Sequence, residues 1–197
     1  MRWLTLYARS RHVPASLTAV LISTVFVRAI TQGTEGGSGD ARMLPLVLGA
    51  GVTAVSVGLS GQDPALDRTA AIRWMPRRAA HVLLAGTFVG TALTVALAVN
   101  RDAVPAELVV RDCAGLTGLT ALGAVVLGGR YAWSLPFAWL SFAFFAPPAT
   151  GVPMQVVTWM LLPPDTAAGT WTALVLLLLG TTAYSVTGAK GGRRCGS

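Results

Sequence analysis

The chain has 197 residues, of which 53% are apolar and only 12% charged, with a net charge of +7 and a mean hydropathy of +0.62. Soluble domains carry about 25% charged residues, so this composition excludes an ordinary water-soluble domain and points to a polytopic membrane protein, whose basic pI reports loop arginines before nucleic-acid binding. Two cysteines, Cys113 and Cys195, cannot build a zinc site alone and set out no disulfide framework.

Residues 1–11 form a basic lead with Arg2, Arg9 and Arg11, and Trp3 and Tyr7 suit the membrane interface. The apolar run that follows has no small-residue cleavage site ahead of a soluble domain, so it reads as a retained first span over about 12–30. A Gly-rich loop at 31–40 leads to span two, about 43–60.

Residues 62–80 are the long polar interval of the chain, with Arg68, Arg73, Arg77 and Arg78 against Asp63 and Asp67. Asp63 can cap a helix, Pro64 suits its first position, and Asp67 sits near the positive end of the dipole. Pro76 then closes that helix and can open the next. The pattern predicts a short cytoplasmic helix over about 64–75, wedged between two spans.

Span three, about 78–99, carries Gly86 and Gly90, continued by Thr94 and Ala98, a small-residue face that lets helices approach closely in lipid. Span four, about 106–128, begins with Glu107, Arg111 and Asp112. Glu107 and Arg111 have the i, i+4 spacing of a helical ion pair. The three residues form either an interfacial salt bridge that fixes helix depth or an outer gate or substrate contact. After a tight connection with Arg130, an aromatic-rich span five is predicted over about 131–146.

The uncharged segment 149–164 holds a helical stretch of ten residues, 153–162, which reaches about 15 Å at 1.5 Å per residue. That is about half the hydrocarbon thickness, so the segment reads as re-entrant. Asp165 and Thr166 can cap span six, about 167–186, and a basic tail, 188–197, follows.

The expected fold is therefore all-α: a single transmembrane domain of six helices with both termini cytoplasmic. This orientation puts eleven basic residues inside and four outside, with two acids inside and six outside, a positive-inside distribution. A seventh span at 153–162 would move Lys190, Arg193 and Arg194 outside. No catalytic triad, paired carboxylates or metal-ligand spacing is present, and His12 and His81 sit near span ends. The chain has no GxxxxGK[ST] phosphate loop. No charge falls in the middle of a span, which argues against an ion-coupled carrier.

This layout resembles the membrane subunits of exporter-type ABC transporters, the type-2 permease superfamily. Asp67, Thr69, Ile72, Pro76 and Arg77 stand in the order of that family's coupling region, with Arg68 where Gly is usual, and 147–164 is similar to its re-entrant pair. The resemblance implies an ATPase-docking surface at Asp67, Arg68, Thr69, Arg73, Trp74, Pro76, Arg77 and Arg78. It implies separate cytoplasmic ABC ATPase subunits carrying ATP and Mg, and a second copy or sister permease to complete the path. No cofactor is expected on this chain, which would not itself be an enzyme. The aromatic, charge-poor spans favour an amphipathic or lipophilic cargo: a peptide, drug or lipid. The rival reading is a membrane scaffold or assembly factor that binds a protein or anionic lipid through 62–80. Fourteen arginines against the single Lys190 point to a GC-rich, actinobacterial-type genome and hence a bacterial cytoplasmic membrane.

Overall fold

The computed structural model describes residues 49, 74–99, 105–147 and 150–189. These residues form helices and turns, with no strand among them. The helices are α1 (Trp74–Val99), α2 (Ala106–Val126), α3 (Ser134–Phe145), α4 (Val152–Val157) and α5 (Ala167–Thr187). Short 3-10 turns occupy Gly129–Tyr131 and Trp159–Leu161.

Three stretches are long and apolar enough to cross a membrane: Met75–Val95 within α1, all of α2, and all of α5, each of 21 residues. At 1.5 Å per residue each reaches about 31 Å, matching a hydrocarbon core about 30 Å thick. Without water to satisfy the backbone, such a segment closes its own hydrogen bonds as a helix. The threonines in these helices obey the same constraint by bonding back to the preceding turn. Thr120 Oγ1 donates to the Leu116 carbonyl (2.8 Å), Thr172 to Ala168 (2.6 Å) and Thr182 to Leu178 (2.6 Å). Hydroxyls paired this way can face lipid. Trp171, Leu174, Leu178 and Val186 on α5, with Leu83, Leu84 and Val95 on α1, form the exposed apolar exterior.

Of the three, α2 is the central helix: 72% of its apolar window is buried, against 17% for α1 and 28% for α5. α1 runs antiparallel to it, since Gly86 faces Thr117 and Gly90 faces Cys113. Gly86 and Gly90 of the predicted small-residue face thus meet α2. α5 runs parallel to α2. Near their N-terminal ends Arg111 lies against Gly169, and further along Gly118 meets Leu176 and Gly180. There the two backbones touch. A Cβ at Gly118 would stand 2.2 Å from the Leu176 carbonyl oxygen, and one at Gly180 would stand 2.1 Å from the Gly118 oxygen.

Helices α2 and α5 match spans four and six closely. The start of span three is corrected. Trp74, Pro76, Arg77 and Arg78 all lie within α1, so Pro76 does not separate one helix from the next. A proline in the first turn of a helix removes an N–H that has no intrahelical acceptor, so the helix tolerates it. Spans one and two (except Gly49, which meets Leu140 of α3), residues 64–73 of the predicted cytoplasmic helix, and the tail beyond Ala189 lie outside the described residues.

Span five is also corrected. The connection that starts at Gly128 (φ 94°) and the Gly129–Tyr131 turn runs on through Trp133, so Tyr131, Ala132 and Trp133 are lost from its predicted beginning. Helix begins only at Ser134 and ends at Phe145, where Ala146 is extended ahead of Pro147, as a residue preceding proline prefers. The resulting 12 residues reach about 18 Å, well short of the hydrocarbon thickness. Because α2 and α5 are parallel, residues 127–166 must return the chain from the C-terminal end of α2 to its N-terminal end. They do so in pieces: α3, α4, the Trp159–Leu161 turn and an extended exit through Leu162. The predicted cap of span six is positional only, since Thr166 occupies the N-cap without a side-chain capping bond.

Trp159 is fully buried where this path meets α2. A Cβ at Gly115 would stand 2.3 Å from its Cη2. Gly115→Ala is therefore expected to cost about 1–3 kcal/mol despite alanine's better helix propensity. The smaller ring of Trp159→Phe should relieve part of that cost. A double-mutant cycle on thermal unfolding in detergent checks this: additive losses would mean that the two residues do not share the space.

Candidate functional site

The polar centre of the described bundle is the Arg111–Asp112 pair on α2. Arg111 is 6% exposed and Asp112 is 0% exposed. Arg111 Nε donates to Asp112 Oδ1 at 2.9 Å. Its two terminal nitrogens donate to consecutive backbone carbonyls of the returning segment, Nη1 to Pro163 (2.8 Å) and Nη2 to Leu162 (2.9 Å). One guanidinium thus spans three acceptors, a geometry that its planar fork provides and a lysine ammonium does not.

The two carbonyls follow a 3-10 turn: the half-buried Leu162 carbonyl has Arg111 as its donor, and the Pro163 carbonyl, at an exposed residue, shares Arg111 with the Thr166 N–H (3.2 Å). Gly169 at the start of α5 leaves room for the guanidinium: a Cβ there would lie 3.0 Å from Nη1 and 3.3 Å from the Trp159 carbonyl oxygen. Arg111 therefore ties α2, the returning segment and α5 together. A second tie comes from α3, where Trp139 Nε1 donates to the Val157 carbonyl at the end of α4 (2.9 Å).

The predicted Glu107–Arg111 ion pair is corrected. Glu107 is exposed in the first turn of α2, and Arg111 turns inward to Asp112 and the two carbonyls. Of the predicted polar cluster, the structure joins Arg111 to Asp112 and leaves Glu107 outside. Trp159, Leu162, Pro163 and Trp139 complete the arrangement without having been singled out from the sequence. A buried tryptophan in a short uncharged segment beside two prolines was the available signal.

Three buried polar atoms have no hydrogen-bond partner among the described residues: Asp112 Oδ2, Thr117 Oγ1 and Trp159 Nε1. Thr117 is pressed into the space left by Gly86. Asp112 and Trp159 both belong to the region held by Arg111. No group of three or more His, Cys, Asp or Glu side chains able to hold a metal occurs among the described residues.

The opposite end of the bundle is cationic. Pro76 and Arg77 are exposed at the start of α1. Arg78 lies over Gly188 at the C-terminal end of α5, its Nη1 2.8 Å from where a Cβ would stand. The positive φ of Gly188 (70°) also favours glycine there. Arg130 sits over the Tyr131 ring at 5.9 Å, next to exposed Trp133, a combination suited to a membrane–water boundary. Asp67, Arg68, Thr69 and Arg73 lie outside the described residues.

Among the described residues these features define a helical bundle, three of whose helices are long and apolar enough to cross a membrane, with a buried arginine clamp at one end and an arginine-rich face at the other. No family model, curated protein or solved structure matches the chain.

Proposed function

We propose that this chain is the transmembrane subunit of an ATP-driven exporter of the ABC type-2 permease class, resident in a bacterial cytoplasmic membrane. ATP would be hydrolysed by separate subunits docked on the arginine-rich face, and the cargo would be amphipathic or lipophilic. The observation that carries this reading is the continuity of α1 from Trp74 to Val99. Arg77 and Arg78 stand on the same unbroken helix that reaches across the apolar layer. A displacement applied to them would pass without a hinge to α2 through the Gly86–Thr117 and Gly90–Cys113 contacts, and to α5 through the Arg78–Gly188 contact. The 3-10 turn between α4 and α5 adds support, because it puts irregular backbone, with Trp159 and Met160 buried, against the bundle, where protein donors can satisfy it.

The test is purification of the tagged chain from its own host membranes in mild detergent. Vanadate-sensitive ATP hydrolysis should elute with it, and Arg77→Ala with Arg78→Ala should lower the retained activity by about tenfold or more, the loss typical of an interface anchor. A folded chain that elutes without ATPase activity would sink this reading and leave the scaffold alternative.

A further inference from the structure

We propose that the segment 43–60, the predicted second span, docks along one stripe of α3, with Gly49 seated on Leu140 and the two elements antiparallel. The inference concerns contacts within one chain and does not depend on ATPase docking.

Helical spacing sets the stripe. Trp133, Phe137, Leu140 and Phe144 follow one another at i, i+4, i+7 and i+11, with Trp133 already in right-handed helical geometry as the N-cap of α3. They form a ridge of large side chains. Trp133 and Phe137 stack edge to face with centroids 6.2 Å apart, and both rings are exposed, as is that of Phe144. Leu140 is the buried member of the four, at 5% exposed, and it is the residue that Gly49 meets. A Cβ at Gly49 would stand 3.0 Å from Leu140 Cδ2. Gly49 is itself helical and buried.

The sequence after Gly49 complements that ridge. The same spacing runs from Gly49 through Thr53, Ser56 and Ser60, a row of small side chains against the large ones of α3. In lipid, small residues let two helices approach closely, and van der Waals packing holds the pair. The direction follows from charge. α3 starts beside the C-terminal end of α2, at the arginine-rich end, and runs away from it. Residues 61–73 hold Asp63, Asp67, Arg68 and Arg73 and lead into α1 at that same end. A link with four charges is too costly to recross the hydrocarbon. The segment 43–60 therefore runs towards the arginine-rich end, against α3. The lengths agree: at 1.5 Å per residue, Met43 lies about 9 Å beyond Gly49, and Phe145 about 8 Å beyond Leu140 on the same side. Thr53 then falls opposite Phe137, and Ser56 opposite Trp133.

The experiment uses the full-length chain in membranes with Cys113→Ala and Cys195→Ser, and a protease site inserted after Asn100 so that cleavage separates the two halves. Thr53→Cys is combined in one protein with Phe137→Cys and in another with Phe144→Cys, and each is treated with a short bifunctional methanethiosulfonate. The first pair is expected to link within one chain: the halves stay together after cleavage, and the uncleaved sample runs as a single chain. In the antiparallel arrangement the second pair stands about 12 Å apart along the helix axes, so its linking should be slower by about tenfold or more. Equal or faster linking of the second pair overturns the proposal. So does the absence of any link. A product of twice the chain mass would make a second copy the occupant of the stripe and overturn it too. If the Thr53→Cys, Phe137→Cys protein fails to fold, Ser56→Cys with Trp133→Cys replaces it, compared with Ser56→Cys and Phe144→Cys and read by the same outcomes.

Discussion

Replacing Gly118 or Gly180 with leucine is expected to leave no stably folded bundle. The glycines are pressed against backbone: the Leu176 carbonyl for Gly118, and the Gly118 carbonyl for Gly180. A side chain could rotate away, but a carbonyl in a helix cannot move without its whole turn. Any Cβ at these positions must therefore drive α2 and α5 apart along their length. Even alanine is informative. In an unobstructed helix Gly→Ala stabilises by about 1 kcal/mol, yet here Gly118→Ala should destabilise, with overpacking of about 3 kcal/mol outweighing propensity. The expected reading is a fall in melting temperature on the order of 10 °C in detergent for alanine, and loss of the monodisperse peak for leucine. A neutral or stabilising alanine at either position would mean that the crossing is wider than described.

Arg111→Ala is the second large effect expected. It strands Asp112 Oδ1 and the Leu162 carbonyl at once and leaves the Pro163 carbonyl with the Thr166 N–H alone. Removing one member of a buried ion pair costs about 3–5 kcal/mol, because the partner's charge is left uncompensated. Asp112→Ala should also be costly, since it leaves a buried guanidinium with neutral acceptors alone. The double substitution removes both charges, so its loss should fall short of the sum of the singles by about 2 kcal/mol or more. Additivity in that cycle, measured by thermal or chemical unfolding, would show that the pair is not energetically coupled. Arg111→Lys should recover only part of the stability, because an ammonium lacks the fork that reaches three acceptors.

The helices that span by themselves were legible in the sequence, because chain length and charge spacing alone decide them. α2 and α5 begin and end within about two residues of the expected bounds, which is the ordinary scatter of helix ends. The face of α1 that meets α2 was legible too, since Gly86 and Gly90 fall four residues apart. The length of α3 was not. An apolar, aromatic run looks alike whether it is helix throughout or spends its first residues on a turn, and hydropathy cannot separate them. The partner of Arg111 was misread for a different reason. The i, i+4 rule proposes Glu107, but it ranks local helical neighbours alone. The acceptors that win are backbone carbonyls more than fifty residues away, which carry no sequence identity to recognise. The Gly118–Gly180 crossing is hidden similarly: each glycine is visible, but their pairing is not.

The parallel arrangement of α2 and α5 has a consequence for the order in which the chain is made. Arg111 is synthesised 51 and 52 residues ahead of the two carbonyls that it finally holds. At about 5–20 residues per second the ribosome needs about 3–10 s to deliver them. Throughout that interval α2 carries a guanidinium whose eventual clamp does not yet exist. Of the three final acceptors, one is already present: the carboxylate of the next residue, Asp112. Adjacent residues do not share a helix face, so this pairing is poor by the usual measure. Its merit is temporal: the nascent helix can neutralise its own charge from the moment it leaves the exit tunnel, seconds before the rest of its partners are translated.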